Sequence, residues 1–268
     1  SMNDEVKNGT IAVTPPSIYS RLFSVWYRHF RVYTKNLVSN GLPPFIEPLF
    51  FLAGVGLGLG KYVGLIDGAE YITFLAAGVI VPPAMFTSAY ECTFGTFIRL
   101  EFDKVYDGMI SASITIYDLL IGEMLFAGTK SLFFSFAVLT VVSAFGLIPS
   151  PFAVLCPLVG FMTGLMFAAL SLFITSFVKN INHFNFYFTG LLTPMFFFSG
   201  IIFPLKDLPA PLRIAAEFLP LTHSASLMRS LCFGRFPVRL AFDLAYMALF
   251  TAVFGALAIR MLKKRILR

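Results

Sequence analysis

The sequence predicts an all-α, polytopic membrane protein with six transmembrane helices, and three observations carry that prediction. The 268 residues are 57% hydrophobic and only 13% charged, with a mean hydropathy of +0.82, and a water-soluble surface of this size needs far more charge. Long apolar runs recur, each near the ~20 residues that cross a bilayer. The breaks between them are mostly short and marked by proline, lysine and asparagine. An N-terminal amphipathic interfacial helix and a re-entrant helix pair between spans five and six complete the expected architecture. The 33 Phe suit lipid-facing and cavity-facing walls alike.

Residues 1–16 read as a flexible N-terminal tail. It opens on Ser1-Met2, which we take as a tag remnant, and it is too polar to be a cleavable signal peptide. Over 17–37, Ile18, Leu22, Val25, Trp26, Phe30, Tyr33 and Leu37 recur at helical spacing with Arg21, Arg28, Arg31 and Lys35 largely between them. This is a basic amphipathic helix suited to a membrane surface, and equally to a partner. His29 within it reads as an interfacial side chain. A transmembrane domain follows over 43–262. Its spans are expected at about 45–63, 71–98 (interrupted by Pro82-Pro83), 119–145, 152–178, 184–203 and 240–261, with a basic cytoplasmic tail at 263–268.

Between the last two spans, residues 204–232 are broken by Pro204, Pro209, Pro211 and Pro220 into pieces too apolar for a free loop and too short to cross. Non-helical backbone at membrane depth survives only where protein buries it or a wet cavity adjoins it. A re-entrant pair is therefore expected, against an ordinary external loop carrying a surface helix. In the first piece Leu212, Ala215, Ala216 and Leu219 form one stripe, with Arg213 and Glu217 together on the other side. Pro204, Pro220, Thr222 and His223 are the candidate gate residues. Thr222 and Ser224 read as local capping groups, and His223 as a holder of the turn.

Six spans put both termini on one side. Thirteen basic residues then lie with the termini and six on the far side, with Lys130 inside a span. That bias makes the termini cytoplasmic and the protein a multi-pass component of the cell (inner or plasma) membrane. The same distribution accounts for the net charge of +6 without nucleic acid. Cys92, Cys156 and Cys232 have no metal or disulfide spacing and read as buried thiols.

The run Gly54 to Lys61 is not a phosphate loop, because Val55 stands where the first Gly belongs and Tyr62 follows the Lys. Gly54/Gly58 and Gly56/Gly60 instead form small-xxx-small pairs suited to close helix packing. Any ATPase is therefore a separate chain. Glu47, Glu91, Glu123 and Lys130 are ionisable residues within or near the ends of spans, with either a structural role in packing or a role in handling substrate or protons. Glu123 and Lys130, seven apart, share a helix face. The loop 99–118 mixes Glu101, Phe102, Asp103, Lys104, Tyr106 and Asp107 into a short amphipathic helix, made for docking on a cytosolic partner or resting on the membrane. His29, His183 and His223 have no catalytic neighbours at motif spacing, so no enzyme is expected.

Taken in order, Glu47-Pro48-Leu49, Gly56 to Gly60, Tyr71 to Gly78, Gly122-Glu123-Met124, Thr193-Pro194-Met195, Phe198-Ser199-Gly200, Phe203-Pro204 and Leu219 to Ser224 resemble the ABC-2 class of ABC-transporter membrane subunits. Within it they are similar to the NodJ type associated with export of nodulation lipo-oligosaccharides. The resemblance runs from about Pro43 to the basic end. It implies a homodimer paired with two copies of a cytosolic ABC ATPase that holds ATP and magnesium, no cofactor in this chain, and an amphipathic, lipid-linked substrate moved outward among membrane lipids. In that arrangement the 99–118 loop and the N-terminal helix contact the ATPase, and the re-entrant pair closes the outer end. The competing function is an ion-coupled carrier using Glu91, Glu123 and Lys130, which predicts an internal repeat; a membrane-embedded lipid enzyme lacks the side-chain cluster it needs.

Overall fold

The computed structural model describes residues 16–111 and 114–266. The expected tail (all but Pro16), residues 112 and 113 of the 99–118 loop and the last two residues of the basic tail lie outside the described residues. Among the described residues the chain is helical, with a single bridge, Ile66 to Ala69, in one turn.

Helix α1 (Ile18–Thr34) starts at Ser17, whose side chain accepts from the Ser20 amide. It lies on α5 (Ile116–Ala144) through buried Val25 and His29. Gly122 of α5 permits that approach, because a Cβ there would sit 2.6 Å from Val25 Cγ1. Among the described residues five helices are long and apolar enough to cross a membrane: α2 (Leu37–Gly60), α3 (Tyr71–Phe102), α5, α6 (Pro151–Phe177) and α10 (Arg239–Ile266). The bounds of α3, α5, α6 and α10 fall within about five residues of the runs read from sequence, whereas α2 starts at Leu37, eight residues before the expected 45.

The segment 184–198, which we label α7, is too short to join them. It has about 15 helical residues, or roughly 22 Å at 1.5 Å per residue, against a hydrocarbon core of about 30 Å. The apolar run extends to Phe203, but the helix ends at Phe198, and the chain turns through Gly200 at φ +77°. Two short helices follow, α8 (Ala210–Glu217) and α9 (Pro220–Phe233). The remaining helix, α4 (Val105–Ser111), follows α3 after a left-handed residue, Lys104 at φ 52°.

Helix α3 breaks at Val79–Ile80, just before Pro82-Pro83. Two proline nitrogens without hydrogens leave the preceding turn unbonded. Ser131 of α5 supports the restart by donating to the Ala84 carbonyl at 2.8 Å. The core forms where α3, α5, α6 and α9 meet, while α2 and α10 stand mostly exposed on the outside. The start of α1, the α4 turn and the end of α10 share one end of the bundle, tied by Arg21–Asp118 (2.7 Å) and Arg265–Glu101 (2.7 Å). Asp67, Ser150 and Arg235 mark the other, where the Ser150 amide donates to the Cys232 carbonyl.

Candidate functional site

At the end of the bundle where α1 starts and α10 ends, α3 changes from α- to π-helical turns at Glu91–Gly95 and again at Ile98–Phe102. Such insertions rotate the side chains beyond them relative to those before. Arg99 thereby reaches two carboxylates, with Nη1 2.9 Å from Glu91 Oε1 and Nε 2.9 Å from Glu123 Oε1. The pair to Glu91 passes over Gly95, where a Cβ would be 3.2 Å from Arg99 Nη1 and 3.3 Å from Glu91 Oε1. Lys130 Nζ closes on the other Glu91 oxygen at 3.2 Å and lies 5.1 Å from the Tyr33 ring. Glu123, 1% exposed, also accepts from Thr96 at 2.8 Å and from the Tyr106 hydroxyl. Two carboxylates thus face two cations, and all four carboxylate oxygens accept at least one hydrogen bond, as charges in low dielectric require. Glu123 and Lys130 do not pair with each other; both reach across to α3.

His29 is a correction to the sequence reading. It is buried rather than interfacial, stacked on Phe126 with Nε2 3.7 Å from Glu123 Oε1. Burial pushes its pKa down to about 4, opposed by Glu123 and reinforced by Arg99. The unfolded chain takes up that proton near 6.5 and the folded one only near 4, so stability falls as the pH drops through this window. Acidification from pH 7 to about 4.5 should therefore loosen α1 from α5, read as faster proteolysis within Ile18–Thr34. His29→Gln should show a flatter pH response, and an unchanged slope would remove His29 as the cause.

The loop expected to dock a partner divides into two faces. Glu101, Phe102, Asp103, Lys104 and Asp107 are exposed. Tyr106, 1% exposed, and Met109 turn inward onto Leu119. Tyr106 therefore belongs to the interior network and does not sit on the exposed face.

Above Lys130 a groove of about 780 Å³ opens between α2, α3, α5 and α7, walled by Phe51, Phe86, Tyr90, Phe134 and Phe196. Glu47 stands exposed at its rim without an ion-pair partner among the described residues. This volume is in the range of small-molecule sites and its lining is apolar with few ionisable groups, as such sites are.

At the opposite end, α8 and α9 are fastened to α10. His223 Nδ1 lies 2.7 Å from Asp243 Oδ1, and Nε2 lies 2.9 Å from the Glu217 carbonyl. Tyr246 stacks on the imidazole at 3.9 Å and donates to the Phe218 carbonyl. Pro204 is buried before the short turn Leu205–Asp207, and Pro220 opens α9. Two sequence expectations fail here. Thr222 and Ser224 do not cap α9, whose N-cap is Leu219; Thr222 donates back to the Ala216 carbonyl at 2.7 Å, and Ser224 receives Thr163 at 2.9 Å. Glu217 pairs with Arg239 rather than Arg213. Cys156 and Cys232, unrelated in sequence, bring their Sγ atoms to 3.7 Å.

Sequence reasoning missed Arg99, Arg229 and Asp243. Asp243 carried a signal, an acidic residue in an apolar run, and Arg99 stands two turns from Glu91 on one helix.

The family model described as ABC-2 type transporter matches residues 20–233. Nodulation protein J of Sinorhizobium fredii (strain NBRC 101917 / NGR234) is 31% identical over 256 residues, 96% of this chain and 97% of that protein. Nodulation protein J of Rhizobium leguminosarum bv. trifolii is 32% identical over 245 residues, 91% of this chain and 94% of that protein. The inner membrane transport permease YadH of Escherichia coli (strain K12) is 22% identical over 209 residues, 76% and 80% of the two chains.

Proposed function

Because the chain belongs to the ABC-2 type transporter family and is a multi-pass membrane permease, we propose that it is the membrane half of an ATP-driven exporter. Two copies work with two copies of a separate cytosolic ATPase, which holds ATP and magnesium, and move an amphipathic, lipid-linked substrate outward. Both termini are cytoplasmic, following the basic residues at that end. Residues 184–203, α7 together with the turn after it, make the fifth of six passages, and α8 with α9 forms a re-entrant pair closing the outer end.

One observation carries this reading. The exposed face Glu101–Asp107 is joined through Tyr106, Glu123, Arg99 and Glu91 to Lys130 on the wall of the apolar groove. A partner that moves the α4 turn therefore moves charges at the groove, which is the differential contact an ATP-driven change of state requires. The groove's Phe walls suit an acyl chain.

The test is affinity purification of the protein from its native host in mild detergent, with ATP hydrolysis measured on the product. A stoichiometric ATPase is expected. Lys104→Glu with Asp103→Lys, which alters the exposed face and leaves Tyr106 in place, should reduce its recovery at least tenfold. A protein that purifies alone without hydrolysis would shift the reading to an ion-coupled carrier.

A further inference from the structure

At the end of the bundle away from the start of α1 and the end of α10, a cavity of about 370 Å³ lies beneath the turn after α7. Four cations line it, against the single carboxylate of Asp67. Two of the four are taken: Lys206 pairs with Asp67 at 2.5 Å and Arg239 with Glu217. Arg235 is exposed at the mouth, donates to the Asp67 carbonyl at 3.3 Å and lies 5.8 Å from the Phe233 ring, with no carboxylate in ion-pair distance among the described residues.

Arg229 differs from all of these. Its guanidinium has no carboxylate within ion-pair distance among the described residues. Its Nη1 and Nη2 donate to the carbonyls of Gly200 (2.7 Å) and Ile201 (3.3 Å), and its plane covers Phe74 at 3.8 Å. The third donor, Nε, is buried with no partner. Also lining this cavity is Ser199, 1% exposed, whose hydroxyl likewise has none. Arg229 as a whole is half-buried, yet a cation withdrawn from water normally acquires a counter-charge, and buried donors such as its Nε are normally paired. Arg229 and Ser199 line the same cavity, each with one buried, unpartnered polar atom among the described residues, and Ser226 and Ser230 line it too.

We propose that this cavity binds an oxyanion of the phosphate class, with Arg229 Nε and the Ser199 hydroxyl as its buried donors and Arg235 at the mouth. Arginine suits the task, because its planar fork carries fixed donors and stays charged in low dielectric. The proposal is independent of ATP and of the direction of transport. It adds to the transport reading a charged stop at the outer end, beside the proposed gate. Either a phospholipid headgroup or a free phosphate supplies the chemistry, and the two arms of the test separate them.

Arg229 also holds two backbone carbonyls, so its loss alone could disturb the fold. Two other variants avoid this. Ser199→Ala removes a hydroxyl that bonds nothing in the protein. Ser226→Asp places a carboxylate three residues before Arg229 on the same helix face, where it supplies the missing counter-charge.

Purified protein would be taken from micelles holding equal phosphatidylglycerol and phosphatidylcholine, and the retained lipid counted by native mass spectrometry. In parallel, inorganic phosphate binding would be measured by equilibrium dialysis in neutral detergent. The wild type should retain phosphatidylglycerol at least tenfold over phosphatidylcholine, or bind phosphate, or do both. Ser199→Ala should weaken whichever is seen several-fold. Ser226→Asp should abolish it with a melting temperature equal to or above the wild type. Binding of neither probe, or equal binding by Ser226→Asp and wild type, would overturn the proposal and leave Arg229 as a clamp on the turn after α7.

Discussion

Glu123→Ala should cost about 3–5 kcal/mol of stability, the range for removing one partner of a buried ion pair, and lower the melting temperature in detergent by roughly 10 °C. The magnitude follows from what remains. Arg99 keeps only Glu91, which already serves Lys130, so two cations share one carboxylate. Tyr106 loses its carboxylate acceptor in a buried place, which adds a desolvation cost, while Thr96 falls back on the Glu91 carbonyl at 3.4 Å. Glu123→Gln should fall between, since the amide oxygen still accepts but carries no charge. Glu47→Ala should change stability by less than about 0.5 kcal/mol, as exposed positions without partners do. Thermal unfolding of the four proteins side by side decides the matter. Equal melting of Glu123→Ala and wild type would mean that the network does not hold α4 to the bundle. On the proposed exporter reading, the same variant should also uncouple the partner's ATP hydrolysis from substrate movement, because Tyr106 anchors the exposed Glu101–Asp107 face through this carboxylate.

How much of this was readable in advance depends on the kind of signal. An ionisable side chain in an apolar run stands out, so Glu91, Glu123 and Lys130 could be marked before any geometry was known. Who pairs with whom could not, because the answer depends on π-helical turns that rotate Arg99 and on the angle at which α5 crosses α3. A 3.6-residue period carries neither. The spans were legible for the same reason that Glu123 was: hydrophobic length is a local property. The short α7 was not. By composition Ser199, Gly200, Ile201, Ile202 and Phe203 continue the apolar run, while the chain itself turns at Gly200 and gives its carbonyls to Arg229. Capping roles were misassigned to Thr222 and Ser224 because a hydroxyl near a helix start has local partners by default. In the folded chain those hydroxyls reach Ala216 and Thr163.

The glycines separate in the same way, and they give the second large effect. Gly54/Gly58 and Gly56/Gly60 have the spacing of a close helix contact, yet only Gly56 meets a neighbour, Ile72 at 3.2 Å from its would-be Cβ; Gly54, Gly58 and Gly60 face open space in this chain. The tight contact is between α5 and α6. A Cβ on Gly164 would lie 2.4 Å from Ser131 Oγ and 3.0 Å from Gly128 Cα, and one on Gly160 would lie 2.2 Å from Ser135 Oγ. Ser131 cannot simply swing away, being fully buried and bonded to the Ala84 carbonyl that restarts α3. Gly164→Val should therefore cost about 3 kcal/mol, the upper part of the overpacking range, and sharply reduce folded protein. Gly164→Ala should cost less, and Ser131→Gly in the same chain should recover part of it, although alone it loses a hydrogen bond worth about 1 kcal/mol. A double-mutant cycle reads that coupling, expected at about 0.5 kcal/mol or more. Gly54→Ala provides the contrast. In an isolated chain it should be neutral or stabilise slightly, since alanine orders a helix better than glycine by about 1 kcal/mol. If a second copy of the chain packs on the exposed α2, the same change should weaken dimers while leaving the melting of monomers unharmed, so analytical ultracentrifugation of Gly54→Ala tests the dimer through the glycine face that this chain leaves uncovered.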